Sequence, residues 1–145
     1  MKGKLYHKPP SWVSAGARFH IRIRTAKAYR ASLTDPTLET TIQEAARYYH
    51  QQQRWFLYLM VLMPDHLHAV MSFPAEPGMS RTIGMWKHYL HSRVGIEWQE
   101  NYFDHRLRND NEFMGKTNYI RMNPVRAGLC ASPEDWPWVT TGDDG

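Results

Sequence analysis

Cysteine is almost absent from this chain of 145 residues, in which Cys130 is the only one. A single thiol excludes an intramolecular disulfide and a cysteine-based zinc site, and it is typical of a reducing compartment. Long apolar runs are also missing, because the longest, WFLYLMVLMP, has about half the length that spans a bilayer. The first residues, MKGKLYHKPPSW, lack the apolar segment of a signal peptide, so we expect a cytoplasmic protein.

Motifs of nucleotide-fuelled enzymes are missing as well. The sequence has no glycine-rich phosphate loop, no Walker-type motif and no Ser-His-Asp signature. Three acidic residues, Glu44, Asp65 and Asp104, are candidate general bases, but no pattern pairs them with a partner. Asp65 stands in the Pro-Asp turn signal before His66, and we assign it to the turn.

The chain is, in contrast, rich in positive charge and in aromatic side chains. Lys and Arg number 18 against 14 Asp and Glu, which gives a net charge of +4, and there are 6 Trp and 8 Tyr. This balance is compatible with a polyanionic partner, and the aromatic rings offer surfaces on which bases stack. The alternative is a solvated basic surface with the rings in the core.

Hydrophobic periodicity predicts an α+β fold. The predicted elements are a strand at 18–25, a helix at 37–52, strands at 55–63 and 66–73, a helix at 80–95 with Ser80 and Gly95 as caps, a strand within 98–108, and a helix at 109–129 that Pro124 kinks or restarts. The first six follow the β-α-β-β-α-β order of a ferredoxin-like antiparallel sheet, and the last is an additional C-terminal helix. We expect one domain over 1–145, with 1–17 and 130–145 as peripheral tails.

Two histidines lie two residues apart on the fourth predicted element. Strand alternation places His66 and His68 on one face, roughly 7 Å apart at Cα. Both imidazoles could therefore reach one divalent ion. The alternative is a pair of hydrogen-bonded histidines without a ligand.

A tyrosine and an asparagine share a face of the last predicted helix. Tyr119 and Asn123 are four residues apart, which brings a hydroxyl and an amide oxygen to one side. The alternative is a core tyrosine and an asparagine that caps the break before Pro124.

Basic residues recur near these elements and are candidates for phosphate contacts. They are Arg22 and Arg24 on the first strand, Arg106 and Arg108 on one face of the later strand, and Lys116 and Arg126 around the tyrosine helix. For each of them, the alternative is a solvated charged surface.

Two stretches together resemble a known family. MPDHLHAVMSF and the later NYIRMNPVRAGL are similar to the motifs of single-tyrosine HUH transposases, and most of all to the REP-associated tyrosine transposases. The resemblance covers most of the chain, since it includes RFHIRIRT, FDHRLRNDNEF and PEDWPW. It implies a ferredoxin-like fold, a nucleophilic Tyr119, and a divalent metal, Mg²⁺ or Mn²⁺, bound by His66, His68 and Asn123. Many insertion-sequence relatives have Gln in place of this Asn, which is a similar oxygen donor on a shorter arm.

The resemblance also implies a function. We expect a nicking and joining enzyme that acts on single-stranded or hairpin DNA through a phosphotyrosine intermediate, with the six basic residues as DNA contacts. A homodimer and a monomer are both compatible with the family, and so are active sites completed within one chain or between two. Two other functions stay open: a catalytically silent nucleic-acid-binding regulator, and a metal-dependent hydrolase in which the histidines activate water and Tyr119 has no role.

Overall fold

The computed structural model describes residues 9–142, which form a five-stranded antiparallel sheet with helices on both faces. The elements are α1 (Ser11–Ala15), β1 (Arg18–Arg24), α2 (Pro36–Gln51), β2 (Phe56–Leu62), β3 (His66–Ser72), α3 (Met79–Val94), β4 (Phe103–Leu107), α4 (Asp110–Arg121), α5 (Asn123–Arg126) and β5 (Val139–Thr140). The strand order is β4-β1-β3-β2-β5. The first four of these strands, with α2 and α3, form the predicted ferredoxin-like arrangement.

The helices begin and end where their terminal residues satisfy the backbone. The Asp35 side chain accepts a hydrogen bond from the Thr37 N–H at the start of α2. Gly95 closes α3 in the left-handed conformation, with φ of 74°, as the sequence predicts. The prediction for Ser80 was wrong, because the N-cap of α3 is Gly78, two residues earlier, which makes no side-chain hydrogen bond.

The larger core lies between the sheet and the helices α2 and α3. Apolar side chains of β1 and β3, including Ile21, Ile23 and Leu67, are fully buried there. Trp55 and Trp86 pack against each other in the same cluster, with ring centroids 5.3 Å apart. Because side chains alternate along a strand, the residues between these buried ones lie on the other face of the sheet.

A smaller core covers part of that second face and holds α4. Val61 and Val70 from the central strands and Leu107 from β4 contact Ile120 of α4, which is fully buried. The break before Pro124 occurs as predicted, since α4 ends at Arg121 and the short α5 starts at Asn123. This packing sets the position of the tyrosine helix over the sheet.

The described parts of the two predicted peripheral tails, residues 9–17 and 130–142, contain regular structure. Residues 1–8 and 143–145 lie outside the described part, and residues 11–15 form a short helix. After residue 130, Trp136 is buried in the smaller core and β5 pairs with β2. The Trp136 indole N–H donates to the Leu62 carbonyl at 2.9 Å, so this segment belongs to the fold instead of lying on its surface.

None of the helices within residues 9–142 combines the length and the apolar character needed to cross a membrane.

Candidate active site

The two histidines of β3 lie on the sheet face that α4 partly covers. In the pairing of β1 with β3, Arg22 lies opposite His68 and Arg24 lies opposite His66. Alternation therefore places all four side chains, with His20, on one face. The rings of His66 and His68 are neighbours on this face, with centroids 5.0 Å apart.

Asp65 orients the first histidine. Its carboxylate oxygen lies 2.7 Å from Nδ1 of His66, and this hydrogen bond lowers the pKa of Asp65. Because an ionised carboxylate only accepts hydrogen bonds, the proton of His66 sits on Nδ1 and the lone pair of Nε2 is available. The assignment of Asp65 to the turn alone was incomplete. Its carbonyl serves the turn by accepting from Thr25, whereas its side chain serves the histidine.

A third histidine contacts the second one. His20 Nε2 lies 2.9 Å from His68 Nδ1, and the two rings stack with centroids 5.1 Å apart. Burial, with the nearby positive charges as a smaller cause, lowers the pKa of His68 to about 3 and that of His20 to about 4. Burial also lowers the pKa of His66. All three imidazoles are therefore neutral at neutral pH, which is the form that binds a metal ion.

The donors on this face fit a divalent ion only if an amide joins them. Among residues 9–142 there is no group of three or more His, Cys, Asp or Glu side chains that could hold a metal ion. Asn123, at the start of α5, is the amide that the sequence predicts. Its Oδ1 accepts a hydrogen bond from Arg126 at 3.0 Å, and a second lone pair remains for a ligand. Two neutral imidazoles and an amide oxygen are a donor set that Mn²⁺ accepts and that Mg²⁺ accepts less well.

Helix α4 is fixed to the sheet at its first turn. Asn109 caps the helix by accepting from the Glu112 N–H, and Glu112 accepts from the Arg108 N–H, which together form a capping box around the helix start. Arg18 on β1 forms an ion pair with Asp110 at 2.9 Å and stacks on the ring of Phe113. These contacts hold the helix on the sheet of its own chain.

Tyr119 is presented outward from this anchored helix. Its neighbour Ile120 is fully buried, whereas Tyr119 itself is 49% exposed. The guanidinium of Arg126 lies 3.7 Å from the centroid of the tyrosine ring, and it also donates to the Tyr119 carbonyl and to Asn123. Arg126 therefore ties the candidate nucleophile to the candidate third ligand.

Lys116 links the tyrosine with the histidine face. Its ammonium lies 5.1 Å from the centroid of the Tyr119 ring. After burial, the charge of Lys116 is the next largest cause of the low pKa of His20. The charge of Lys116 therefore influences the histidine face, while its ammonium lies beside Tyr119 on the same helix.

The six predicted basic residues fall into three pairs, of which two lie near the candidate site residues. Arg22 and Arg24 lie on the histidine face, and Lys116 and Arg126 lie beside Tyr119. Arg106 pairs with Phe19 across the β1–β4 ladder, and alternation therefore places it on the other face. The prediction that Arg106 and Arg108 share a strand face was wrong, because β4 ends at Leu107.

Sequence reasoning missed the aromatic residue that faces the site from β4. Phe103 pairs with Arg22 in the ladder, and the arginine guanidinium stacks on its ring at 4.8 Å. The same ring meets the edge of His20 at 5.5 Å and is 40% exposed. The alternation of Phe103, His105 and Leu107 along β4 was the sequence pattern that could have placed Phe103 on the same face as His105.

Comparison with known proteins identifies the family. The model of the family described as "Transposase IS200 like" matches residues 16–122, which is well over half of the chain.

The chain belongs to the IS200-like transposase family.

Individual relatives agree with this assignment. This IS200-like chain is 30% identical over 84 residues to a REP-associated tyrosine transposase of Escherichia coli K12, a match that covers 55% of this chain and 50% of the relative. It is 24% identical over 94 residues to a putative REP-associated tyrosine transposase of Haemophilus influenzae, with 53% of each covered. The match thus spans about half the length of these curated relatives.

Solved structures share the fold of this IS200-like chain. A REP-associated tyrosine transposase bound to a REP hairpin matches with a TM-score of 0.73 at 22% identity, over 86% of this chain and 76% of that one. A putative transposase from Deinococcus radiodurans R1 matches with a TM-score of 0.51 at 16% identity, over 79% of this chain and 95% of that one. Both likenesses support the ferredoxin-like arrangement described above.

Proposed function

We propose that this chain cuts and rejoins single-stranded DNA at hairpin-associated sites through a covalent bond between DNA and Tyr119. The observation that carries the proposal is an exposed tyrosine on a helix that packs over the same sheet face as two neutral histidines, whose Nδ1 atoms both have partners. Membership of the IS200-like family supports the reaction class. The relative bound to a REP hairpin supports hairpin DNA as the substrate.

His66, His68 and Asn123 would hold a divalent ion, Mg²⁺ or Mn²⁺. When bound, such an ion polarises the scissile phosphate and offsets its negative charge. The protein supplies neutral imidazole nitrogens and one amide oxygen, which is a small donor set for a hard cation. Metal binding is therefore expected to be weak without DNA and stronger with it, since phosphate oxygens would complete the ligand set.

Tyr119 would act as the nucleophile. Its hydroxyl oxygen attacks phosphorus and loses its proton to solvent, the bond from phosphorus to the 3′ oxygen breaks, and that oxygen takes up a proton. The products are a phosphotyrosine ester and a free 3′ hydroxyl. The ester keeps the energy of the broken bond, so the 3′ hydroxyl of another strand end can attack it and reseal the DNA without ATP.

The cationic residues around Tyr119 would stabilise the negative charge that develops in this step. Lys116 and Arg126 place two positive charges at the Tyr119 ring, where negative charge develops on the phenol oxygen and the phosphate. Arg22 and Arg24 extend the positive charge across the histidine face. Arg106 and Arg108 lie farther out, at the sheet edge, and we propose that they contact the DNA backbone there.

The decisive experiment detects the covalent intermediate. The protein is incubated with Mn²⁺ and a pool of single-stranded oligonucleotides that carry hairpins with varied flanks, and denaturing gels reveal protein–DNA adducts. We expect an adduct with the wild type and none with Tyr119→Phe. The matched control is Tyr89→Phe, since Tyr89 is 47% exposed on α3, which packs on the face of the sheet away from the histidines. It should form the adduct normally.

Two other outcomes would overturn the proposal. Metal-dependent cleavage that survives Tyr119→Phe would assign the histidines to a hydrolase that activates water. Tight hairpin binding without any cleavage or adduct would identify a silent regulator.

A further inference from the structure

His20 is a buried polar residue with only one satisfied ring nitrogen. It is 4% exposed on β1, and its Nε2 shares a hydrogen bond with Nδ1 of His68. Its Nδ1 is fully buried and has no hydrogen-bond partner among the described residues. An unpaired buried polar atom destabilises a fold, and an apolar residue at this position would avoid that destabilisation. The presence of an imidazole therefore suggests a function for the ring.

The proton in this pair has two possible positions, and they differ in what His68 can do. If His20 donates from Nε2, then His68 accepts at Nδ1 and carries its own proton on Nε2, where it blocks a metal ion. If His68 donates from Nδ1, then His20 accepts at Nε2 and the lone pair of His68 Nε2 is free. Only the second arrangement allows His68 to be a metal ligand.

Surrounding contacts hold the ring of His20 in place next to His68. Its strand pairs with Val70 of β3 on one side and with His105 of β4 on the other. Its ring stacks on His68 and meets Phe103 edge-on at 5.5 Å. The ring therefore has little freedom to turn away from His68.

We infer that His20 is a positioning residue that accepts the Nδ1 proton of His68 and so keeps His68 Nε2 free for the divalent ion. This inference rests on the proposed function, because it concerns the same metal site. It makes the two histidines of β3 equivalent: Asp65 accepts from Nδ1 of His66, and His20 accepts from Nδ1 of His68. Removing an outer partner of this kind typically lowers metal affinity 10- to 100-fold.

The test compares Mn²⁺ binding by two variants that differ in one hydrogen-bond acceptor. His20→Phe keeps a ring that stacks but has no acceptor, whereas His20→Gln places an amide oxygen near the former position of Nε2. Mn²⁺ is titrated into each protein by calorimetry in the presence of an uncleaved hairpin oligonucleotide. We expect the affinity to fall 10- to 100-fold in His20→Phe and to stay within about threefold of the wild type in His20→Gln.

Two measurements separate this role from a purely structural one. Thermal unfolding with excess chelator shows whether each variant is folded before metal is added. Nitrogen NMR of the wild type with Mg²⁺ reports the tautomer of His68 without any substitution, and we expect the proton on Nδ1.

The two hypotheses can fail separately. Equal Mn²⁺ affinity of a folded His20→Phe and the wild type, or a proton on Nε2 of His68 in the Mg²⁺ form, would overturn the role of His20 and leave the metal site intact. A wild type that binds no Mn²⁺ with or without DNA would overturn the proposed function and this inference together.

Discussion

Asp65 illustrates how one residue serves both the fold and the site. Its carbonyl accepts hydrogen bonds from Thr25 next to β1, and its carboxylate holds Nδ1 of His66. The sequence indicated only the turn, because Pro-Asp is a turn signal whatever the side chain contacts. The orientation of His66 is therefore coupled to the geometry of the β2–β3 hairpin.

Changing Asp65 should weaken the metal site without unfolding the hairpin. Asp65→Ala removes the acceptor of the His66 proton, and we expect Mn²⁺ affinity to fall about tenfold or more. Asp65→Asn keeps an oxygen acceptor and should lose less. Calorimetry with a hairpin oligonucleotide measures both.

Asp104→Ala is the matched control for this prediction. Asp104 is an exposed carboxylate on β4 that pairs with Ile21, on the face away from the histidines. If Asp65→Ala and Asp104→Ala bind Mn²⁺ equally well, the Asp65 carboxylate has no role in orienting His66.

At the scale of elements, the segment after α5 packs against α4, the helix that carries Tyr119. Trp136 packs with Ile120 of α4 in the smaller core, and its indole N–H donates to the Leu62 carbonyl of β2. Its ring also meets Trp138 edge-to-face at 4.7 Å. The segment thus joins the edge of the sheet to the helix that carries Tyr119.

Truncating Trp136 should therefore destabilise the whole fold. We expect Trp136→Ala to lower the free energy of unfolding by about 3–5 kcal/mol, as for other buried aromatic residues. Trp136→Phe keeps most of the apolar contact and loses the hydrogen bond, so a cost of about 1–2 kcal/mol is expected. Urea denaturation measures both. A change below about 0.5 kcal/mol in Trp136→Ala would restore the interpretation of this segment as a surface tail.

Much of the architecture could be predicted because the strongest elements are long and periodic. The alternation of β1 and the helical spacing in α2 both recur over several turns or pleats, so their types and approximate bounds follow from the sequence. In contrast, β5 consists of Val139 and Thr140 alone, too short for any period. Its place in the sheet depends on the packing of Trp136, which local sequence does not encode.

The contacts of the site depend on strand register, which the sequence does not fix. His66 and His68 could be assigned to one face from alternation alone. That His20 would meet His68 follows from the pairing of β1 with β3, and that Arg106 would lie on the other face follows from the pairing of β1 with β4. Both ladders join residues far apart in the chain, where local patterns carry no information.

At the scale of the whole molecule, the histidines and the tyrosine belong to one chain. Only Arg108 and Asn109 connect β4 to α4, and Arg18 of β1 pins the helix through Asp110. This short connection and the ion pair place α4 on the sheet of its own chain, and we expect the site to be completed within one chain.

Mixing two inactive variants tests this arrangement. Tyr119→Phe retains the histidines and His66→Ala retains the tyrosine, so a shared site would regain roughly a quarter to a half of the activity in some pairings. We expect no covalent adduct from the mixture, at any ratio, in the same gel assay. Adduct formation in the mixture would show that α4 acts on a partner.

The pairing of β1 with β4 also sets the order in which the molecule can be built. Arg18 lies opposite Leu107 in the β1–β4 ladder. One edge of β1 can therefore form its hydrogen bonds only after most of the chain has been synthesised. By contrast, β1, β2 and β3 are complete once Ser72 has emerged from the ribosome. A nascent chain at that stage carries both histidines but lacks Tyr119, so we expect the proposed cleavage activity only after the last third of the protein has folded onto the sheet.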